Sequence, residues 1–131
     1  MNDTIHLEIV TPMGIIYQGD VRCVVLPGNE GEFGVLKGHA SLLSSLKAGV
    51  IDIQKTDSKH ELVAIDSGYA EVNEFKITVL AKGAVAINTG KNSEIAKNLE
   101  QAKELIKSMS SDTIALNLAF ADIEKKVGSI D

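Results

Sequence analysis

The spacing of apolar residues changes once along this chain, and that change limits the fold more than any other feature. Ile5, Leu7 and Ile9 alternate with His6, Glu8 and Val10, and Ile51 and Ile53 alternate with Asp52 and Gln54. A period of two is that of a strand with one face against a core. Val21 to Leu26, Leu62 to Ile65 and Ile77 to Leu80 place apolar side chains on both faces, as strands inside a two-layer core do. Turn-forming residues punctuate the runs at Pro12 to Gly14, Gly19-Asp20, Pro27 to Gly34, Thr56 to Lys59 and Ser67-Gly68. Short strands at such intervals predict an antiparallel sandwich or barrel.

After Gly90 the period lengthens. Ile95, Leu99, Ala102, Ile106 and Met109 follow at steps of four, three, four and three, which sets them on one helix face. Asn92 or Ser93 offers the N-cap. Ser108 to Asp112 interrupts the stripe, and Ser110, Ser111 and Asp112 offer a second cap. Leu116, Phe120, Ile123 and Val127 then form a second stripe. Two amphipathic helices with a short polar break between them predict an antiparallel hairpin with its apolar faces together. The chain therefore reads as β + α: a sandwich domain over residues 1–87 and a helical hairpin over 88–131, with Gly83 to Gly90 as the hinge.

Composition narrows the function. With no Trp and 4% aromatics, the core must be built from Val, Ile, Leu and Ala. A formal charge of -5 excludes nonspecific attraction to nucleic acid or anionic lipid. No stretch approaches the ~20 apolar residues of a membrane span, and the N-terminal residues do not read as a secretory signal. Cys23 is the single cysteine, so there is no internal disulfide framework, and among Val21, Val24 and Val25 it reads as a buried, inert thiol.

Reactive constellations are not visible. His6, His39 and His60 lie in separate segments without metal-ligand spacing, so no metal site is expected. Ser41, Ser44 and Ser45 lie near His39 but outside any G-x-S-x-G elbow, and read as loop and strand-end residues. The stretch Gly28-Asn29-Glu30-Gly31-Glu32-Phe33-Gly34 has the glycines of a phosphate loop. It lacks the G-K-[ST] ending, and Glu30 and Glu32 would repel an anion. Its glycines read as turn residues. The pairs Glu30/Glu32 and Asp122/Glu124 read as solvated charge, and the C-terminal stripes as helix packing rather than a cofactor groove. Neither a catalytic residue nor a cofactor is expected.

Several segments, in order, resemble one family. Ile9-Val10-Thr11-Pro12 with Ile16-Tyr17-Gln18-Gly19 is similar to the first hairpin of the epsilon subunits of bacterial-type rotary (F-type) ATP synthases. Val24 to Ala40, reading VVLPGNEGEFGVLKGHA, resembles that family's most distinctive block. Ser41-Leu42-Leu43 continues it, with Ser41 where the family usually has proline. Gly49-Val50-Ile51, Ser67 to Val72 and Lys76 to Ala81 match the later strands. The match covers residues 4 to 87, and the tail fits in architecture more than in residues.

The resemblance implies a flattened sandwich of about ten strands followed by a helical hairpin, and a non-catalytic place on the central stalk. It implies contact with the gamma subunit, and a c-ring-facing end carrying Glu30, Gly31, Glu32 and His39. It implies contact with the catalytic alpha/beta head when the hairpin extends and inhibits ATP hydrolysis, and a peripheral position on the cytoplasmic face of the bacterial inner membrane. The folded hairpin would pack Ile95, Leu99, Ala102 and Ile106 against Leu116, Phe120 and Ile123. Some members bind ATP through [IL]-D-x-x-R-A; here Glu94 and Lys97 stand at the Asp and Arg positions, and Arg22 is the chain's one arginine. A point-charge Lys suits phosphate less well than a forked guanidinium, so ATP binding is not expected. From Asp112 to Asp131 two Lys face four acids, a formal -2, so electrostatic help for inhibition is expected to be weak. The reading from another class is a free-standing small-molecule-binding sandwich with a regulatory helical lid; an enzyme is disfavoured by the missing catalytic groups.

Overall fold

The computed structural model describes residues 3–87, 98, 100–105 and 107. Ten strands follow in order: β1 (Ile5–Thr11), β2 (Gly14–Val21), β3 (Cys23–Gly28), β4 (Gly31–Leu36), β5 (Leu42–Leu46), β6 (Gly49–Gln54), β7 (His60–Ile65), β8 (Gly68–Val72), β9 (Lys76–Ala81) and β10 (Ala84–Ala86). Their hydrogen-bonded order is β10-β7-β6-β3-β5-β8-β9-β1-β2, with β4 added to β3. Every pairing is antiparallel except β1 with β9. The path folds on itself as two layers, β10-β7-β6-β3-β4 and β5-β8-β9-β1-β2.

The predicted alternation appears as burial. Ile5, Leu7 and Ile9 of β1, Ile77 and Val79 of β9, and Ala70 and Val72 of β8 point inward from one layer. Val24, Leu26, Val35, Ile51, Ile53, Val63 and Ile65 meet them from the other. A bulge between Ile9 and Val10 skips Ile16 in the register, and Ile16 and Tyr17 both pack on this core. Two segments differ from the sequence reading. Gly19-Asp20 lies inside β2 rather than in a turn, and most of Pro27 to Gly34 is strand, with a turn only at Asn29-Glu30. The glycines there leave the ladder intact; of Gly28, Gly31 and Gly34, only Gly31 has the positive φ (129°) that a turn demands.

Among the described residues the turns fall at two ends. One end gathers Pro12-Met13, Asn29-Glu30, Lys47-Ala48, Asp66-Ser67 and Lys82-Gly83. The other gathers the 37–41 loop, the 55–59 turn and Asn73 to Phe75. At the first end Asp66, 6% exposed, laces two turns: its Oδ1 accepts the N–H of Ser67 (2.6 Å) and of Gly83 (2.9 Å).

A second buried layer lies outside the sandwich core. Val50, Leu62 and Ala64 face away from that core, yet are 0 to 1% exposed, as are Ile87 and Ala102. Residues 98, 100–105 and 107 are helical. Asn98 Nδ2 donates to the Ile87 carbonyl (3.1 Å), and a Cβ added at Gly83 would meet Leu105 Cδ1 at 2.9 Å. The helix is thus fastened beside β7 and β10. Leu105, which lies off the predicted stripe, is a docking residue that the 3.5-residue period did not single out. Of the seven residues assigned to hairpin packing only Ala102 is among the described residues, and it is buried. Ile95, Leu99, Ile106, Leu116, Phe120 and Ile123 lie outside them, as do Glu94 and Lys97.

Core and helix seat are separable by mutation. Ile77→Ala should lower sandwich stability by about 2–5 kcal/mol, seen as a lower urea midpoint. Gly83→Val should instead leave that midpoint nearly in place while speeding amide exchange at residues 101–105, because the new Cβ would lie 2.9 Å from both Leu105 Cδ1 and Asp66 Oδ2. Unchanged helix exchange would show that Gly83 is not the seat.

Candidate functional site

Register, rather than any loop, assembles the most distinctive surface. Across the layer β5-β8-β9-β1-β2, Ser45 pairs with Tyr69, Tyr69 with Leu80, Leu80 with Val10, and Val10 with Ile15. Ser45, Tyr69, Leu80 and Val10 each lie between inward-facing neighbours and so point to the outer face, and Ile15 joins them as the register partner of Val10. Tyr69 is 60% exposed, Leu80 55% and Ile15 58%, and Met13 in the adjoining turn is 94% exposed. Scattered apolar side chains on a surface are ordinary. A row of four on consecutive strands, with a fifth beside it, is a contiguous patch of the kind partners cover.

The neighbouring row is polar. Lys76 Nζ lies 3.4 Å from Glu8 Oε1, His6 Nδ1 lies 2.9 Å from Asp20 Oδ1, and Gln18 Nε2 donates to Glu8 (3.4 Å). These half-exposed pairs solvate the sheet and add little stability. The apolar row ends at the turn end, above a cleft of about 880 Å³.

The residues assigned by resemblance to a single end are distributed along β4. Glu30 sits in the β3–β4 turn, Gly31 opens β4, and Glu32 pairs with Pro27. His39 lies beyond the other end of β4, where its N–H donates to the Leu36 carbonyl (3.1 Å) and Gly38 N–H donates to Glu74 (3.0 Å). Six strand residues at ~3.3 Å per step put roughly 17 Å between those ends. Glu30, Gly31 and Glu32 instead line an opening of about 730 Å³ with Leu42 to Ser45.

The side chains with reactive potential are placed for structure. His60 Nδ1 lies 2.7 Å from Asp52 Oδ1. Cys23 pairs with Gln54, which pairs with His60, so thiol and imidazole stand two strands apart, about 10 Å, beyond hydrogen-bond reach. Burial first, then the Asp52 charge, push the Cys23 thiol above its ordinary value, against a lowering by the Val35 backbone hydrogen bond. That is the reverse of an activated nucleophile. Cys23 is half-buried, less enclosed than its valine neighbours led us to expect. Ser44 Oγ donates to the Ser45 carbonyl (3.1 Å) rather than to a base. Among the described residues no three His, Cys, Asp or Glu side chains gather as metal ligands.

The geometry is that of a two-layer sandwich with an uncovered apolar row and with its histidines engaged by carboxylates or backbone. Residues 4–87 match the family described as ATP synthase, Delta/Epsilon chain, beta-sandwich domain, and the chain belongs to that family. It is 69% identical to the ATP synthase epsilon chain of Campylobacter lari, over 97% of this chain and 98% of that one. It is 65% identical to the ATP synthase epsilon chain of Campylobacter jejuni, over 95% and 96% respectively. Among solved structures it is similar to a chain of the Euglena gracilis mitochondrial ATP synthase, seen in an OSCP/F1/c-ring assembly. That likeness has 27% identity and a TM-score of 0.65, over 98% of this chain and 82% of that one.

The thiol offers a direct check of this environment. At pH 8.5, Cys23 should alkylate with iodoacetamide several-fold more slowly than a small free thiol, because its raised pKa leaves less thiolate. Urea should abolish the difference. Faster labelling in the native state would contradict the assigned burial.

Proposed function

We propose that this chain is the non-catalytic rotor subunit of a proton-transporting F-type ATP synthase, holding the gamma subunit and the c-ring together so that ring rotation reaches the catalytic head. The observation that carries the reading is the uncovered row Tyr69–Leu80–Val10–Ile15. A subunit under torque needs a broad buried contact that holds its partner tightly, and this row crosses four strands of one sheet. Its likeness to ATP synthase epsilon chains over nearly the whole length supports the same reading. Gamma covers the row. The β3–β4 turn with Glu30, Gly31 and Glu32 faces the c-ring. His39 at the other end of β4 belongs to a different contact.

In this reading the sandwich of residues 1–87 is the docking domain and residues 88–131 are a regulatory hairpin. Fastened beside β7 and β10 at Ile87 and Gly83, the first helix is held away from the catalytic alpha/beta head. Extension would give up the Leu105 and Asn98 contacts and must recover them on gamma and the head. The tail does not bind ATP, since Glu94 and Lys97 make a poor phosphate site. In this reading the subunit lies at the cytoplasmic face of the bacterial inner membrane, held there by the complex.

Leu80→Glu buries a charge in the centre of the docking face and should abolish co-purification with gamma, while Glu71→Lys, on the neighbouring outer row, should not. In assembled synthase, Glu30→Ala with Glu32→Ala should leave ATP hydrolysis intact but reduce protons pumped per ATP. Normal gamma binding by Leu80→Glu would refute the assigned face; unchanged pumping would refute the c-ring assignment.

A further inference from the structure

The cleft at the turn end carries a feature that an apolar docking face does not need. Lys47 and Lys82 both line it, on turns beside the exposed row. The side chain of each is without a carboxylate partner among the described residues. In a chain of net charge -5 this is a local reversal of sign. The one acid lining the same cleft, Asp66, is engaged by backbone rather than by either lysine: its Oδ1 accepts the N–H groups of Ser67 and Gly83, and the residue is only 6% exposed. Glu30, in the adjacent turn, lines the adjoining opening along β4, which shares Asn29 and Ser45 with the cleft.

We infer that this cleft is a carboxylate socket: the partner covering the Tyr69–Leu80–Val10–Ile15 row inserts an Asp or Glu side chain that meets Lys47 and Lys82. The inference rests on reading that row as the gamma-docking face. The two features divide the work physically. Apolar burial supplies affinity but is non-directional, so a smooth row alone permits gamma to slide or rotate on it. A charge held at one end of the row fixes register and orientation, and it speeds encounter. Leu80 and Tyr69 line the cleft as well as the row, so a partner cannot cover one without closing the other. Covering it removes water and reduces screening of the pair.

The test uses the full chain and the gamma subunit of the same synthase, with Kd measured at about 50 and 500 mM salt. The double reversal K47E/K82E should weaken binding by about 100-fold at low salt and invert the salt dependence, because salt then screens a repulsion. K47R/K82R keeps both charges and should bind almost as wild type. Leu80→Ala should weaken binding equally at both salt concentrations. Both lysines are exposed, so the reversed protein should melt as wild type does. Binding by K47E/K82E within about twofold of wild type at low salt would overturn the socket and leave the row as the docking face. If the wild-type chain failed to bind gamma, the docking face itself would fall, and the socket with it.

Discussion

The two layers depend on the forked pairing of β3. Along one edge it is zipped to β4 over its whole length, from Cys23↔Leu36 to Gly28↔Gly31. Along the other it serves two strands in succession: β6 through Val25, then β5 at Gly28↔Leu46. β5 and β6 leave the same edge in different layers, so β3 is where one sheet becomes two. Pro27 occupies the fork. Its carbonyl accepts Lys47 N–H (2.9 Å) on the β5 side, so its missing N–H would point to the same side, in the gap where β6 has ended and β5 has not begun. A proline here forfeits no ladder bond. Gly28 is required for a different reason: a Cβ there would meet the Gly31 carbonyl at 2.7 Å and the Phe33 ring at 2.9 Å.

From the fork the functional surfaces follow. Once β5 starts one layer and β6 the other, register puts Tyr69, Leu80, Val10 and Ile15 in line on an outer face. The opposite outer face carries Val50, Leu62 and Ala64, buried outside the core beside the fastened helix. The two outer faces thus differ in kind: one carries the helical residues that include Asn98 and Leu105, and the other is open to a partner. Asp66 stands where they meet, since its carboxylate holds both the turn lining the cleft and Gly83, against which Leu105 packs.

Much of this could be read from sequence because burial in strands is periodic. Ile5, Leu7 and Ile9 announced an inward face, and they are buried as their spacing requires. The two-residue period also contains the exposed row, since the same alternation sends Val10 outward, but it cannot reveal that Leu80 and Ile15 will stand beside it. Those neighbours are 70 and 5 positions away and meet only through register, including the bulge that skips Ile16. Gly19-Asp20 and Pro27 to Gly34 were misread as turns for a related reason: turn-type residues also serve edge strands and forks, where ladder demands are lower. Glu30 and His39 were grouped by resemblance, and only the course of β4 between them separates the two. Leu105 was overlooked because a helical stripe marks one face, and a docked helix can use a second.

The central claim is that the row on β8, β9, β1 and β2 is covered by the stalk. It is tested most directly by hydroxyl-radical footprinting of the native chain, free and in assembled ATP synthase. The account predicts that Tyr69, Leu80 and Ile15, each more than half exposed in the isolated chain, become protected from oxidation on assembly. Oxidation of Tyr69 and Leu80 at the same rate in the free chain and in the complex would contradict it.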